Sequence, residues 1–187
     1  MKYIRLFEQF EEGHKFDILD LFTISPSEVE ELFFKELKKE TPDLENIQVF
    51  LDSGLVDVHT KDGYGYTPLH WVAHYNQLEL AKLLISSEAE AEAKNNGGST
   101  PLHEAAYYNS LELAKLLISS GADLEAKDEY GRTPLHWAAG YNYLELAQLL
   151  ISSGAEVNVK DDRGWTPLDM ADFQEMQELL ISHGGVQ

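Results

Sequence analysis

Three histidines, His70, His103 and His136, stand 33 residues apart, each closing an identical Thr-Pro-Leu-His tetrapeptide. Imidazoles are the side chains best suited to ligate a metal or to move protons near neutral pH. Their spacing excludes a shared ion. Successive packed units lie about 10 Å apart, the separation of neighbouring helices, and one metal does not bridge that distance. A structural role is expected for all three.

Other reactive constellations fail on composition or spacing. Asn95-Asn96-Gly97-Gly98-Ser99 is rich in glycine but lacks the Gly-Lys-Ser/Thr ending that holds phosphates and magnesium, and it reads as a flexible loop tip. There is no Gly-x-Ser-x-Gly elbow and no His-Glu-x-x-His pair. Serine pairs such as Ser119-Ser120 fall at a polar helix end without a base beside them. Cysteine is absent, which removes disulfides, thiolate metal sites and thiol nucleophiles. The sequence therefore assigns no catalytic residue, no metal ligand and no cofactor, and the reading is of a protein that is not an enzyme.

The net charge of -19 over 187 residues repels phosphate backbones and anionic headgroups while attracting basic partners. Nucleic acid and membrane are excluded as partners. With 43% hydrophobic and 25% charged residues the chain can bury a core. No window reaches the apolar length of a membrane span and the first ten residues lack a signal-peptide core. A cytoplasmic monomer is expected, with non-classical secretion as an effector left open.

The elements that carry these residues follow from the period. Thr-Pro recurs at Thr67, Thr100, Thr133 and Thr166, always 33 residues on, defining units 62–94, 95–127, 128–160 and a shorter 161–187. A fixed period of this length marks units too small to bury their own apolar face, which fold by stacking on one another. Each unit opens with Asp or Asn, followed three residues later by Gly65, Gly98, Gly131 or Gly164 at a tight turn. Threonine then caps a short helix, its hydroxyl expected to accept from free backbone N–H groups, with proline in the first helical position. Asn76, Asn109 and Asn142 close that helix in the left-handed conformation. A second helix follows over 78–87, 111–120 and 144–153, apolar on more than one side, with Gly121 and Gly154 ending the latter two.

The pattern Asp-x-x-Gly-x-Thr-Pro-Leu-His, then Ala-Ala, Leu-Glu-Leu-Ala and Gly-Ala-Asp, resembles the ankyrin-repeat family from Asp62 to about Gly184. The resemblance implies an all-α helical solenoid with short hairpin-like fingers. It further implies histidines bonded within the loop and helix-start network, and a concave protein-binding face lined by the fingers and first helices.

Three departures carry their own expectations. Glu88 stands where glycine caps the later units, so either its backbone is strained or the helix runs on through the alternating Glu-Ala stretch to Ala93. Asp169 and Asp172 replace His and Ala in the last unit, which reads as a cap with a solvated outer face. Residues 25–61 read as a degenerate, helical N-terminal cap repeat. Its first helix is capped by Ser25 with Pro26 and Glu28 behind it, and its second, from Leu44, by Thr41-Pro42. Residues 1–24 are too apolar for a free tail. They are expected to pack on the first repeat, the alternative being a segment that docks another protein.

Aromatic residues point to the surface that matters. Eight of the nine Tyr and all three Trp lie between Tyr64 and Trp165, and these side chains dominate binding hot spots. Trp71 and Trp137, inside the first helices, are expected in the core. The fingers offer Tyr64, Tyr66, Tyr130, Arg132, Arg163 and Trp165. The first helices add His74, Tyr75, Glu104, Tyr107, Tyr108 and Tyr141, and Glu129 and Asp162 add charge. Gly140, beside larger residues, is expected to leave a pocket for a partner side chain. The function expected is recognition of a protein or peptide with basic and apolar features on this face. The alternative is a scaffold, inhibitor or effector whose N-terminal segment makes the key contact.

Overall fold

The computed structural model describes residues 25–186; the packing expected of residues 1–24 lies outside them. The described residues form ten helices and no strands, in five pairs. The first pair is α1 (Pro26–Leu37) and α2 (Leu44–Asp52). The next three are α3 (Pro68–His74) with α4 (Leu78–Ser86), α5 (Pro101–Tyr107) with α6 (Leu111–Ser119), and α7 (Pro134–Gly140) with α8 (Leu144–Ser152). The last is α9 (Pro167–Met170) with α10 (Gln174–Ser182).

α1 starts on a reciprocal cap: the Ser25 N–H donates to Glu28 Oε2 at 2.7 Å and the Glu28 N–H to Ser25 Oγ at 3.4 Å. Its buried stripe of Val29, Leu32, Phe33 and Leu37 meets Ile47 and Phe50 of α2, with Phe33 and Phe50 edge to face at 5.6 Å. α2 is capped by Asp43, not by Thr41. The Asp43 carboxylate accepts from the Glu45 and Asn46 N–H groups at 2.9 and 3.3 Å. The Asp43 N–H itself donates to the fully buried Glu36 at 2.8 Å, which fixes where the chain enters the helix.

From α3 onward the pairs repeat. Leu69, Leu102 and Leu135 of the first helices and Leu80, Leu113 and Leu146 of the second are at most 1% exposed. Burying each contributes about 2 kcal/mol. Ala73, Ala106 and Ala139 are fully buried where successive first helices meet, and their small size permits that approach. Asn76, Asn109 and Asn142 take φ of 53, 55 and 58° as expected. Glu88 settles its own alternatives: α4 ends at Ser86 and Glu88 sits at φ 67°, so the strained turn is the one adopted.

The histidines bind the units together. The Thr67 N–H donates to His70 Nδ1 at 3.2 Å, so Nδ1 is an acceptor. Nε2 lies 2.9 Å from the Ser99 carbonyl, which only accepts, so Nε2 carries the proton. The Thr67 hydroxyl therefore donates to Nδ1 at 2.8 Å, rather than chiefly accepting from the helix backbone as its cap position suggested. His103 and His136 repeat this, reaching the carbonyls of Arg132 and Trp165 at 3.0 and 3.1 Å. Each ring caps its own helix and holds the next finger. Burial pushes the His70 pKa down to about 4 and lowers those of His103 and His136, while the carbonyl contacts partly oppose it.

Two further bonds recur along the stack, three times each. Lys61, Lys94 and Lys127 each donate to the carbonyl 33 residues ahead, at 2.9, 2.9 and 3.0 Å. The fingers join main chain to main chain: Asn96 N–H to Tyr64 O, Glu129 N–H to Gly97 O and Asp162 N–H to Tyr130 O, at 3.0, 2.8 and 2.9 Å. Such near-neighbour bonding is the stability pattern of a solenoid. In the last pair Asp169 keeps only the inner half of the histidine's role, accepting the Thr166 N–H at 2.8 Å. Its outer face is less polar than expected, since Phe173, Ile181 and Val186 stand more than half exposed beside Gln174, Glu175 and Glu178.

Candidate functional site

The Asp or Asn that opens each finger is the root of the site. Asp62 Oδ1 accepts from the Tyr64 and Tyr66 N–H groups at 2.9 and 3.1 Å, and its Oδ2 accepts from the Trp71 indole at 3.0 Å. Asp128 repeats this with Tyr130, Arg132 and Trp137. Trp71 and Trp137 are thus not core residues as expected. They pack against the core half-buried, each indole N–H turned to the finger acid. Where the helix residue is Glu104, the finger residue is the neutral Asn95, so two carboxylates do not face each other. Where it is Met170, no N–H is available: Asp161 Oδ2 has no hydrogen-bond donor and faces Arg132 Nε at 3.7 Å.

On these roots the rings form a continuous ladder. Tyr66 lies 4.9 Å from Trp71 between centroids, Trp71 stacks on Tyr75 at 6.0 Å, and His74 meets Tyr75 at 4.7 Å and Tyr108 at 4.2 Å. Tyr108 touches Tyr107 at 4.8 Å, and Tyr107 reaches Trp137 at 5.4 Å and Tyr141 at 5.0 Å. Tyr143 extends the ladder from Tyr141 at 5.8 Å. The repeated tyrosines therefore stack between units and still expose about two fifths of their surface, 40% for Tyr75, 42% for Tyr108 and 44% for Tyr141. A hydrogen bond with Tyr107 pushes the Tyr141 phenol up to about 12.

Glu104 lies at the centre, 8% exposed. Its Oε1 accepts from the Tyr66 hydroxyl at 2.8 Å, and its Oε2 lies 3.7 Å from His74 Nδ1. Burial raises the Glu104 pKa while the Tyr66 bond lowers it. Burial lowers the His74 pKa, favouring the neutral ring. Tyr66 is pushed upward by burial and by the Glu104 charge. Tyr66, Ser99, His103, Glu104, Tyr107, Tyr108 and Trp137 enclose a pocket of about 190 Å³.

Of the residues singled out in the sequence, Tyr66, His74, Tyr75, Glu104, Tyr107, Tyr108 and Tyr141 are brought together. Tyr64 and Tyr130 line an adjoining hollow of about 310 Å³ with Glu129. Arg132 is engaged within the molecule, its guanidinium 5.4 Å from the Tyr130 ring and 5.1 Å from that of Trp137. Arg163 and Trp165 pair with each other, 6.0 Å apart, on the last finger. Gly140 forms no pocket: the Met170 methyl fills its place, 3.2 Å from where a Cβ would stand.

Sequence reasoning missed Lys38, whose ammonium lies 4.1 Å from the Trp71 ring centroid and 3.4 Å from Asp62 Oδ2. It comes from the non-repeating first pair, where the period gives no signal. Tyr143 was also missed, although its replacement of Gln77 and Ser110 at the same step of the period was a signal that could have found it. Also missed was a shallow depression of about 500 Å³ formed by the second helices, including Leu111, Leu144 and Leu149. Among the described residues no cluster of three or more His, Asp or Glu side chains is arranged to hold a metal ion. No described helix is long and apolar enough to cross a membrane.

A family model for ankyrin repeats in three copies matches residues 39–128, and one for ankyrin repeats in many copies matches residues 118–171. No curated protein matches the chain. The two models together span residues 39–171, the stretch through which the histidine, lysine and finger bonds recur, and the chain belongs to the ankyrin-repeat family.

Proposed function

We propose that the protein recognises a protein or peptide with basic and apolar features through the concave face lined by its fingers and first helices. Ankyrin repeats are protein–protein interaction modules and typically not enzymes. What supports this particular face is the exposed aromatic ladder running across three helix pairs with a buried carboxylate at its centre. Aromatic anchors around a desolvated polar group are the makings of a binding hot spot, and the net charge of -19 favours basic partners. In this reading residues 62–94, 95–127, 128–160 and 161–187 are the repeats and residues 25–61 their N-terminal cap. The protein acts as a cytoplasmic monomer, without a cofactor.

Selection from a random peptide library displayed on phage tests the reading. The wild-type protein should enrich peptides combining Lys or Arg with apolar residues. A variant with Tyr64, Tyr107 and Tyr130 changed to Ala, all at least 39% exposed, should melt cooperatively at a somewhat lower temperature, Tyr107 being packed on three rings, and lose that enrichment while fully folded. Enrichment retained by the variant, or enriched peptides without basic residues, would refute the assignment.

A further inference from the structure

The pocket around Glu104 has the makings of a receptor for one kind of side chain. Elsewhere the chain brings aromatic faces and a carboxylate together twice, and each time supplies its own cation. Lys38 covers Trp71 beside Asp62, and Arg132 covers Trp137 beside Asp161. Glu104 is the third such place. It is walled by the rings of Tyr66, Tyr107, Tyr108 and Trp137. Among the described residues its carboxylate pairs with no Lys or Arg; it has the neutral Tyr66 hydroxyl at 2.8 Å and the His74 ring at 3.7 Å. A buried carboxylate without a counter-charge is costly, and a cation brought in from outside removes that cost.

Resting on the reading above, we infer that this pocket holds a lysine-type alkylammonium side chain of the partner, its charge against Glu104 and its carbons against the four rings. Aromatic faces attract ammonium groups through their quadrupoles, most strongly where water is excluded. The volume of about 190 Å³ exceeds that of several waters and suits a head group of about four or five heavy atoms. Hydrogen-bond capacity favours the methylated forms. Glu104 Oε1 is already engaged by Tyr66, so a primary ammonium with three N–H donors is served less fully than one whose donors are replaced by methyl groups. Arg132 does not line the pocket and leans toward Asp161.

The test uses small probes on the full chain: the acetylated methylamides of lysine, trimethyl-lysine and norleucine, followed by NMR of the indole N–H groups and the tyrosine rings. Both lysine probes should move the Trp137, Tyr107 and Tyr108 signals saturably, the trimethyl form at least as tightly. Trp71, which does not line the pocket, should stay still. E104Q keeps an acceptor for the Tyr66 hydroxyl and should fold normally yet bind at least tenfold more weakly. The inference is overturned if norleucine moves the same signals equally, if trimethyl-lysine fails where lysine binds, or if E104Q binds unchanged. Failure of the probes while peptide selection still depends on Tyr64, Tyr107 and Tyr130 would sink the pocket and leave the face intact. Loss of that dependence would sink the face whatever the probes do.

Discussion

Acid should loosen the stack through His70. Its ring is held at about 4, against 6.5 for an ordinary imidazole, because burial disfavours the charged form more than the Ser99 carbonyl favours it. Between those two values the unfolded chain binds more protons than the folded one, so stability rises with pH through the window. The contribution is intact above 6.5 and lost as pH falls toward 4. At about 1.4 kcal/mol per decade the full span is about 3 kcal/mol, of which about 2 kcal/mol is gone by about pH 5. Falling pH also relieves the repulsion of a chain with net charge -19, which masks the effect in a raw profile. The comparison that isolates it is urea unfolding of the wild type against His70→Ala, each at pH 7.5 and pH 5. The wild-type advantage should shrink by about 2 kcal/mol. An advantage that stays constant, or a folded-state ring titration centred near 6.5 by NMR, would refute the reasoning.

Two substitutions probe the backbone. Glu88→Gly relieves a side chain held at φ 67°. The relief of about 1–2 kcal/mol outweighs the roughly 0.5–1 kcal/mol of added freedom in the unfolded chain, so the melting temperature should rise by about 2 °C; a fall would show that the turn is not strained. Gly140→Ala places a methyl 3.2 Å from the flexible end of Met170, which can yield. A gain of about 0.5 kcal/mol is expected from the stiffer unfolded chain, and a loss above about 1 kcal/mol in thermal unfolding would mean the Met170 packing is rigid.

Much of the fold was legible because a solenoid writes its local rules once per unit. The 33-residue period, the Thr-Pro helix starts and the left-handed asparagines all follow from local backbone chemistry, and the structure has them at the expected residues. Contacts that depend on what lies across a joint were not legible. Gly140 read as a void because the residue that fills it, Met170, belongs to the next unit and stands where the earlier units have Trp71, Glu104 and Trp137. Trp71 and Trp137 read as core because helical position alone does not reveal an indole N–H turned to a finger carboxylate. The site suffered likewise. The residues around Glu104 were individually picked out, but nothing in the spacing foretold that a tyrosine hydroxyl from one finger and an imidazole from the preceding helix would converge on it.

The sameness of the joints separates lineage from specificity within one molecule. Since each repeat histidine proton reaches a carbonyl 29 residues ahead and each bridging lysine one 33 ahead, excising residues 95–127 as a block would offer His70 the carbonyl of Arg132 in place of Ser99 and Lys94 that of Lys160 in place of Lys127. The shortened array would close with interchangeable fittings and bring the two tryptophans side by side, yet Glu104 would be gone. What the protein can hold is therefore inscribed in one replaceable cassette, and gene rearrangement by whole periods can rewrite it without inventing a new way to fold.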